Sequence, residues 1–372
     1  MNRLLVSLLI LTLGILMGCV SPATPSTSAS PTPGATSSTT PTVLATLPSP
    51  STSALSADDT FLSQPPGTIR LMTYNVHWDS IFPEDDPQNH DLRAYDRVDS
   101  FHRIVAAIRP DVLCLQEINY LRSGRDLAAF VGVAWGAPED QSWQVIDVRD
   151  TLIATRFGLL EEGYELMTGT ILQDLDQAAG LVDLPDDEYG PVDLYLICSH
   201  FRSGGGEEDI LLRTRQADAI MAHVRDFETV GGNLDLPPGT PFVILGDFNA
   251  YNTDPALHIH TLTSGDIYDQ PRYGADLNPD WDGTALADAR PSHNGLGIDF
   301  YTWRNDAEPF SPWSLDRVIY SDSVLQMRNA FVLNTTLLTA EALEAHGLQR
   351  EDVLLEHGSG AYDHLPLVVD FH

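Results

Sequence analysis

Short apolar runs separated by turn residues recur from residue 68 to the C-terminus, and residues 68–76, 111–116, 193–199, 241–245, 316–320, 324–332 and 365–371 read as strands. Residues 143–148 and 151–155 have the alternation of a hairpin, with a fainter run at 163–167 and a short strand at Tyr301-Thr302-Trp303. Helical spacing governs other stretches. In 95–108, Val98, Phe101, Ile104, Val105 and Ile108 fall on one stripe that Pro110 ends, and in 207–227, Ala217, Ile220, Met221 and Val224 keep a three-four spacing. Acids open the second helix, where its dipole favours them. Shorter helices are predicted at 255–262 and 340–346, with a long acidic loop over 269–299. Strands, helices and a hairpin interleaved in this way predict mixed, largely antiparallel sheets with helices outside.

The pattern starts late in the chain. Arg3 precedes an apolar run, Leu4 to Leu16, too short for a comfortable membrane span but right for a secretory leader. Leu16-Met17-Gly18-Cys19 resembles the bacterial lipoprotein box, which implies cleavage after residue 18 and lipidation of Cys19. Residues 19–64 are rich in Ser, Thr, Pro and Ala and cannot bury enough apolar surface to offset ordering entropy, so a tether is expected there. Residues 65–372 form the globular part, expected as one domain and a monomer on the outer side of a bacterial membrane. The two remaining cysteines, Cys114 and Cys198, each lie in an apolar run and are expected as buried free thiols rather than a disulfide.

The net charge is −33, and all 20 basic residues are Arg. Such a balance opposes tight non-specific binding to nucleic acid or anionic lipid, yet a bound divalent cation reverses the field locally. Chemistry gathers where the strands end. Asn75, Glu117, His200, Asp247 with Asn249, Asp316, and Asp363-His364 each stand at the tip of a predicted strand. Asn75 and Glu117 offer the oxygens a hard cation prefers. Asp247 and Asn249, two apart beyond Gly246, can face one side of a turn, and Asp316 is the natural partner to orient and charge His364.

These segments, Met72-Thr73-Tyr74-Asn75-Val76-His77, Leu113-Cys114-Leu115-Gln116-Glu117, Cys198-Ser199-His200, Ile244-Leu245-Gly246-Asp247-Phe248-Asn249, Leu315-Asp316 and Tyr362-Asp363-His364-Leu365-Pro366, resemble the endonuclease/exonuclease/phosphatase superfamily in its order. The resemblance implies a four-layered α/β sandwich, with two packed mixed β-sheets flanked by helices, and a Mg²⁺- or Mn²⁺-dependent phosphoesterase. By the same match Glu117 is the main metal ligand, with Asn75 and Asp363 alongside. Asp247 orients or deprotonates water, Asn249 holds the phosphate, His364 pairs with Asp316, His200 assists at the phosphate or leaving oxygen, and Tyr301-Thr302-Trp303 is structural. Two positions depart from the pattern, His77 where abasic-site endonucleases have Asp and Arg317 where Tyr is usual.

Segments around His200 and Asp247 look like those of bacterial extracellular nucleases, so hydrolysis of nucleic-acid phosphodiesters leads. Sphingomyelinase-like or small phosphate-ester hydrolysis follows, and a non-catalytic binding module is the alternative from another class. Arg122, Arg125 and Arg202 are the candidate phosphate clamps. Asn278, Asp280 and Asp282 imitate half a calcium loop but lack its closing Glu, and His258 with His260 read as surface histidines rather than a zinc site.

Overall fold

The structure is a computed structural model that describes residues 59–77, 80–82, 96–118, 124–138, 142–160, 177–251, 256–305, 310–355 and 363–372. The leader, Cys19, most of the tether, Arg122 and the faint strand at 163–167 lie outside the described residues. The tether ends earlier than its composition indicates. Asp59–Leu62 makes a 3-10 turn whose Phe61 and Leu62 are buried in the core, because Phe61 packs edge-on against Phe331 at 4.9 Å.

Among the described residues, twelve strands form two sheets of six. The first holds β1 (Ile69–Asn75), β2 (Val112–Gln116), β3 (Gln144–Val148), β4 (Thr151–Thr155), β11 (Met327–Val332) and β12 (Leu367–Phe371) in the order β11-β12-β1-β2-β4-β3. The second holds β5 (Gly158–Leu159), β6 (Gln177–Asp183), β7 (Leu194–His200), β8 (Phe242–Asp247), β9 (Ala287–Ala289) and β10 (Asp316–Tyr320) in the order β5-β6-β7-β8-β10-β9. Each sheet has a single parallel pair at its centre, β1/β2 in one and β7/β8 in the other, and every other pair is antiparallel. A helix makes each parallel crossover, α1 (Val98–Ile108) in the first and α4 (Glu207–Glu228) in the second. The remaining helices are α2 (Gly124–Trp135), α3 (Asp186–Tyr189), α5 (Leu257–Ser264), α6 (Gln270–Tyr273) and α7 (Ala340–His346).

Alternation along β7 and β8 shows how the layers divide. Leu194, Leu196, Cys198, Val243 and Leu245 join the core between the sheets, while Tyr195, Ile197, Phe242 and Ile244 pack outward with Ala217, Ile220 and Val224 of α4. Burial of Phe101, Ile104, Val105 and Ile108 seats α1 in the same way, at about 1.5–3 kcal/mol for each large side chain. The sandwich is therefore an α/β fold with helices outside. Two elements were not visible in the apolar pattern. Helix α2 carries Gly and Ala through its middle, and β6 reads Gln-Ala-Ala-Gly, with little of the β-branched character that marks a strand. Part of the acidic 269–299 stretch is ordered too, since β9 pairs with β10.

A buried ion pair fastens the sheet edge to the N-terminal turn. Arg70 Nε and Nη2 donate to the Asp370 carboxylate at 2.6 and 2.8 Å, while Nη1 donates to the Leu62 and Ile108 carbonyls. Every donor so placed offsets the cost of taking a guanidinium out of water.

Cys114 and Cys198 are joined as a disulfide, which corrects the expectation of two thiols. The sequence places each in a buried strand, but only stacking of the sheets sets β2 against β7. The bridge therefore staples one sheet to the other, three residues before Glu117 and two before His200. It closes a loop of 84 residues, so it is expected to stabilise the fold by about 4 kcal/mol through the unfolded chain. Denaturant unfolding of Cys198→Ala should lose about that much, and reductant should lower the stability of the native protein to the same level while leaving the variant unmoved.

Candidate active site

All the strand ends that carry polar groups emerge at one edge of the sandwich. Asn75 and Glu117 follow the parallel pair of one sheet and His200 and Asp247 that of the other, while Asp316 opens β10 directly opposite Asp247. His364 arrives just before β12, bridged to Trp303. Glu117, His200, Asp247 and His364 line a cavity of about 710 Å³ together with His77, Asn249 and Asp363, while Asn75 and Asp316 adjoin it through hydrogen bonds to Glu117 and His364.

Close backbone packing makes this convergence possible. Gly246 has φ 141°, and a Cβ there would lie 2.0 Å from the Ser199 carbonyl oxygen, so only glycine lets β8 run against β7 at this point. His77, Glu117 and Asn249, each just past a strand end, adopt left-handed φ values of 59°, 62° and 49°. Non-glycine residues occupy this region at a cost of about 1 kcal/mol or more, and here it turns each side chain back over the strand tips.

Three imidazoles meet in the cavity, each anchored through Nδ1 on a carboxylate. His364 contacts Asp316 at 2.8 Å, His200 contacts Asp150 at 2.7 Å and His77 contacts Asp363 at 2.8 Å. The remaining nitrogens of two of them approach Asp247 and Glu117. His364 Nε2 is 3.5 Å from Asp247, and His200 Nε2 is 3.8 Å from Asp247 and 3.9 Å from Glu117. Asn75 sits between those carboxylates, donating from Nδ2 to Glu117 at 3.0 Å and to Asp247 at 3.1 Å while its Oδ1 accepts the His77 amide. Asn249 donates from Nδ2 to the Phe201 carbonyl and from its amide N–H to Asp247, so in this geometry it braces the carboxylate expected to handle water.

Burial and charge shift these groups in opposite senses. Burial raises Glu117 and outweighs the His200 field and the Asn75 hydrogen bond. Asp316 is likewise raised by burial, against the pull of His364. Burial opposes the charge on His364, but Asp316, Asp247 and Asp363 hold it well above the ordinary histidine range. For His200 burial again acts downward, and the Asp150 hydrogen bond with the fields of Asp247 and Glu117 overcomes it, to about 9. Burial acts to raise Asp363, but His364, His77 and Arg97 hold it down to about 2.

The donor set suits a divalent cation. Five carboxylates (Glu117, Asp150, Asp247, Asp316 and Asp363) contact three imidazoles, so even with all three imidazoles charged the cluster lacks the two positive charges that one such ion carries. Glu117 would hold it, with Asn75 adjacent. Asp247, Asp316 and His364 also present ligand atoms within 4.8 Å of one another, with His364 Nδ1 already in contact with Asp316.

Not every sequence candidate reaches the cavity. Arg202 is 59% exposed and its Nε donates to Asp209, which also caps the start of α4, while Arg125 is exposed on the first turn of α2; neither lines the cavity. Arg317 is buried against Asp288. Asp280 and Asp282 spend their oxygens on Ser323, Trp281 and Thr284, and His258, expected at the surface, is 2% exposed and hydrogen-bonded to the Phe248 carbonyl. Asp150 and Trp303 were missed as site residues. Asp150 sits in the β3–β4 turn, where Asp reads as a turn former, and Trp303, read as structural, donates its indole N–H to Asp363.

The sequence profile of the Endonuclease/Exonuclease/phosphatase family matches residues 72–334. No curated protein matches the chain. Among solved structures, humanized D. rerio TDP2 is 15% identical, covers 82% of this chain and 99% of its own, and superposes with a TM-score of 0.45. The human Nocturnin catalytic domain with bound sulfate is 19% identical (83% and 96% covered, TM-score 0.44), and an endonuclease/exonuclease/phosphatase from Beutenbergia cavernae is 15% identical (82% and 71% covered, TM-score 0.45). The chain belongs to the endonuclease/exonuclease/phosphatase family. It is a hydrolase of phosphate esters.

The raised His200 pKa gives a pH prediction with a defined sign. Its imidazolium is present below about 9 and lost above it, so activity should fall on the alkaline side through that value. Asp150→Asn removes a principal cause of the shift, and the alkaline limb of a kcat/KM profile should move down by about one to two pH units. A limb that stays in place would remove His200 from the chemistry.

Proposed function

We propose that this chain is an exported, lipid-anchored phosphodiesterase that uses Mg²⁺ or Mn²⁺ and cuts nucleic-acid backbones. The observation that carries the reading is the pair of Nδ1-anchored imidazoles, His200 and His364, beside Glu117 and Asp247. In-line displacement at phosphorus needs positive charge at the non-bridging oxygens, a base for water and a donor for the leaving oxygen, and this set supplies each from a fixed position. Asp247, braced by Asn249 and Asn75, orients the attacking water and accepts its proton. His364, charged by Asp316, faces the phosphate oxygens. His200, charged by Asp150, also stands beside Asp247 and is the group assigned to protonate the leaving oxygen. Glu117 would hold a divalent ion, which would supply positive charge toward the phosphate.

The export part of the proposal rests on other ground. Cys19 follows a leader of lipoprotein type, and the Cys114–Cys198 disulfide is chemistry that persists in oxidising compartments outside the cytoplasm. Among the described residues no helix is long and apolar enough to cross a membrane, so attachment would fall to the lipid. Cys19→Ser should move the protein from the membrane fraction to the soluble one.

Turnover of bis-p-nitrophenyl phosphate by residues 53–372, with and without Mg²⁺, Mn²⁺ and chelator, tests the chemistry. Activity should need metal, and Glu117→Gln and His364→Gln should each lower kcat/KM by about a thousandfold or more. Metal-independent turnover, or full activity in both variants, would overturn the reading.

A further inference from the structure

The cavity that gathers the imidazoles has a second lining of a different kind. Tyr251, Trp303, Phe310 and Trp313 face it, and Leu315 is the one large aliphatic side chain among its described lining residues. Ordinary core burial does not account for these rings, since Phe310 is 62% exposed and Trp303 and Trp313 are only partly covered. They are nevertheless held in place. Trp303 and Trp313 exchange backbone hydrogen bonds at 2.9 and 3.0 Å, the Trp303 indole N–H is tied to Asp363 at 3.0 Å, and Phe310 packs against Trp303 at 6.3 Å. Across the strand ends, Tyr251 lies under the Arg213 guanidinium at 4.7 Å, and that Arg also fastens the Gly204 loop through its carbonyl.

Resting on the phosphodiesterase reading above, we propose that this aromatic lining stacks an unpaired nucleobase beside the scissile phosphate, so that the substrate is single-stranded nucleic acid rather than duplex. Three features point the same way. Fixed, partly exposed rings give a base a flat platform without ordering cost, whereas an acyl chain would call for aliphatic lining. A base inside a duplex has both faces covered by its neighbours and cannot reach such a platform. The chain carries a charge of −33 without a single Lys, which leaves little electrostatic hold on a long backbone and makes stacking the natural source of affinity. Trp313 also borders a neighbouring cavity of about 370 Å³ whose lining includes Phe300 and Tyr301 with Arg290 and Asp299, so a strand leaving the platform continues over a further aromatic surface.

The test pairs turnover with binding. An end-labelled oligonucleotide is offered single-stranded, fully paired, and single-stranded with one abasic residue, with bis-p-nitrophenyl phosphate and short-chain phosphatidylcholine assayed alongside. The single strand should be cut at least tenfold faster than the duplex, and the abasic residue should suppress cleavage at its own position by roughly 10- to 100-fold. Trp313→Leu should lose that dependence on the base while Trp313→Phe keeps part of it, a split that a merely structural tryptophan would not give. Binding is read separately, as quenching of tryptophan fluorescence by a phosphorothioate dinucleotide in chelator, which should weaken about tenfold or more in Trp313→Leu. Equal cleavage of duplex and single strand, indifference to the abasic residue, or a preference for phosphatidylcholine would overturn the proposal even if metal-dependent turnover of the small diester persists. Loss of all phosphate-ester turnover would instead remove the hydrolase reading, and the quenching result then decides the base platform by itself.

Discussion

Two parallel strands must end at the same edge of their sheet, and each sheet of this protein has one such pair at its centre. Stacking the sheets with those edges together brings four carboxyl-terminal strand ends to one place, and antiparallel neighbours deliver β10, β12 and the β3–β4 turn to the same rim. The site depends on that arrangement at every point. Asn75, His200 and Asp247 follow the alternation of residues facing between the sheets, so one set of positions supplies core below and chemistry above. The disulfide between β2 and β7 fixes the depth at which the two edges meet.

Electrostatics then governs what can live at that rim. An acidic chain without Lys has imidazoles among the cations of its site, and His200 and His364 are each favoured as imidazolium by a carboxylate held at Nδ1. Those carboxylates cost desolvation energy, visible in the upward push on Glu117 and Asp316, and their number exceeds the imidazoles. The surplus is what suits the site to a divalent ion. Outside the site the same logic is applied for stability, where buried Arg70 is fully occupied by Asp370 and two carbonyls.

The principal site groups were legible because each is a short polar interruption at the end of an apolar run, and their order along the chain carries the family resemblance. Arg202 and Arg125 do not line the cavity, because nearness in sequence to His200 or Glu117 says nothing about which way a loop turns. Arg202 lies past the strand end, where Asp209 at the start of α4 captures it. Asp150 had the opposite problem, since an Asp in a hairpin turn is explained locally and its contact with His200 spans 50 residues.

From sequence alone came the alternation of strands and helices, the set of strand-tip residues, and the acidic, Lys-free surface, all of which depend on local periodicity and composition. Tertiary structure decided which strands face one another across the sandwich, and with that the Cys114–Cys198 bridge, the Asp150–His200 and His77–Asp363 pairs, and the place of Trp303 and Trp313 in the cavity. The reason is physical. A strand's own pattern specifies that a face is buried, whereas the partner it is buried against is set by the packing of elements remote in the chain.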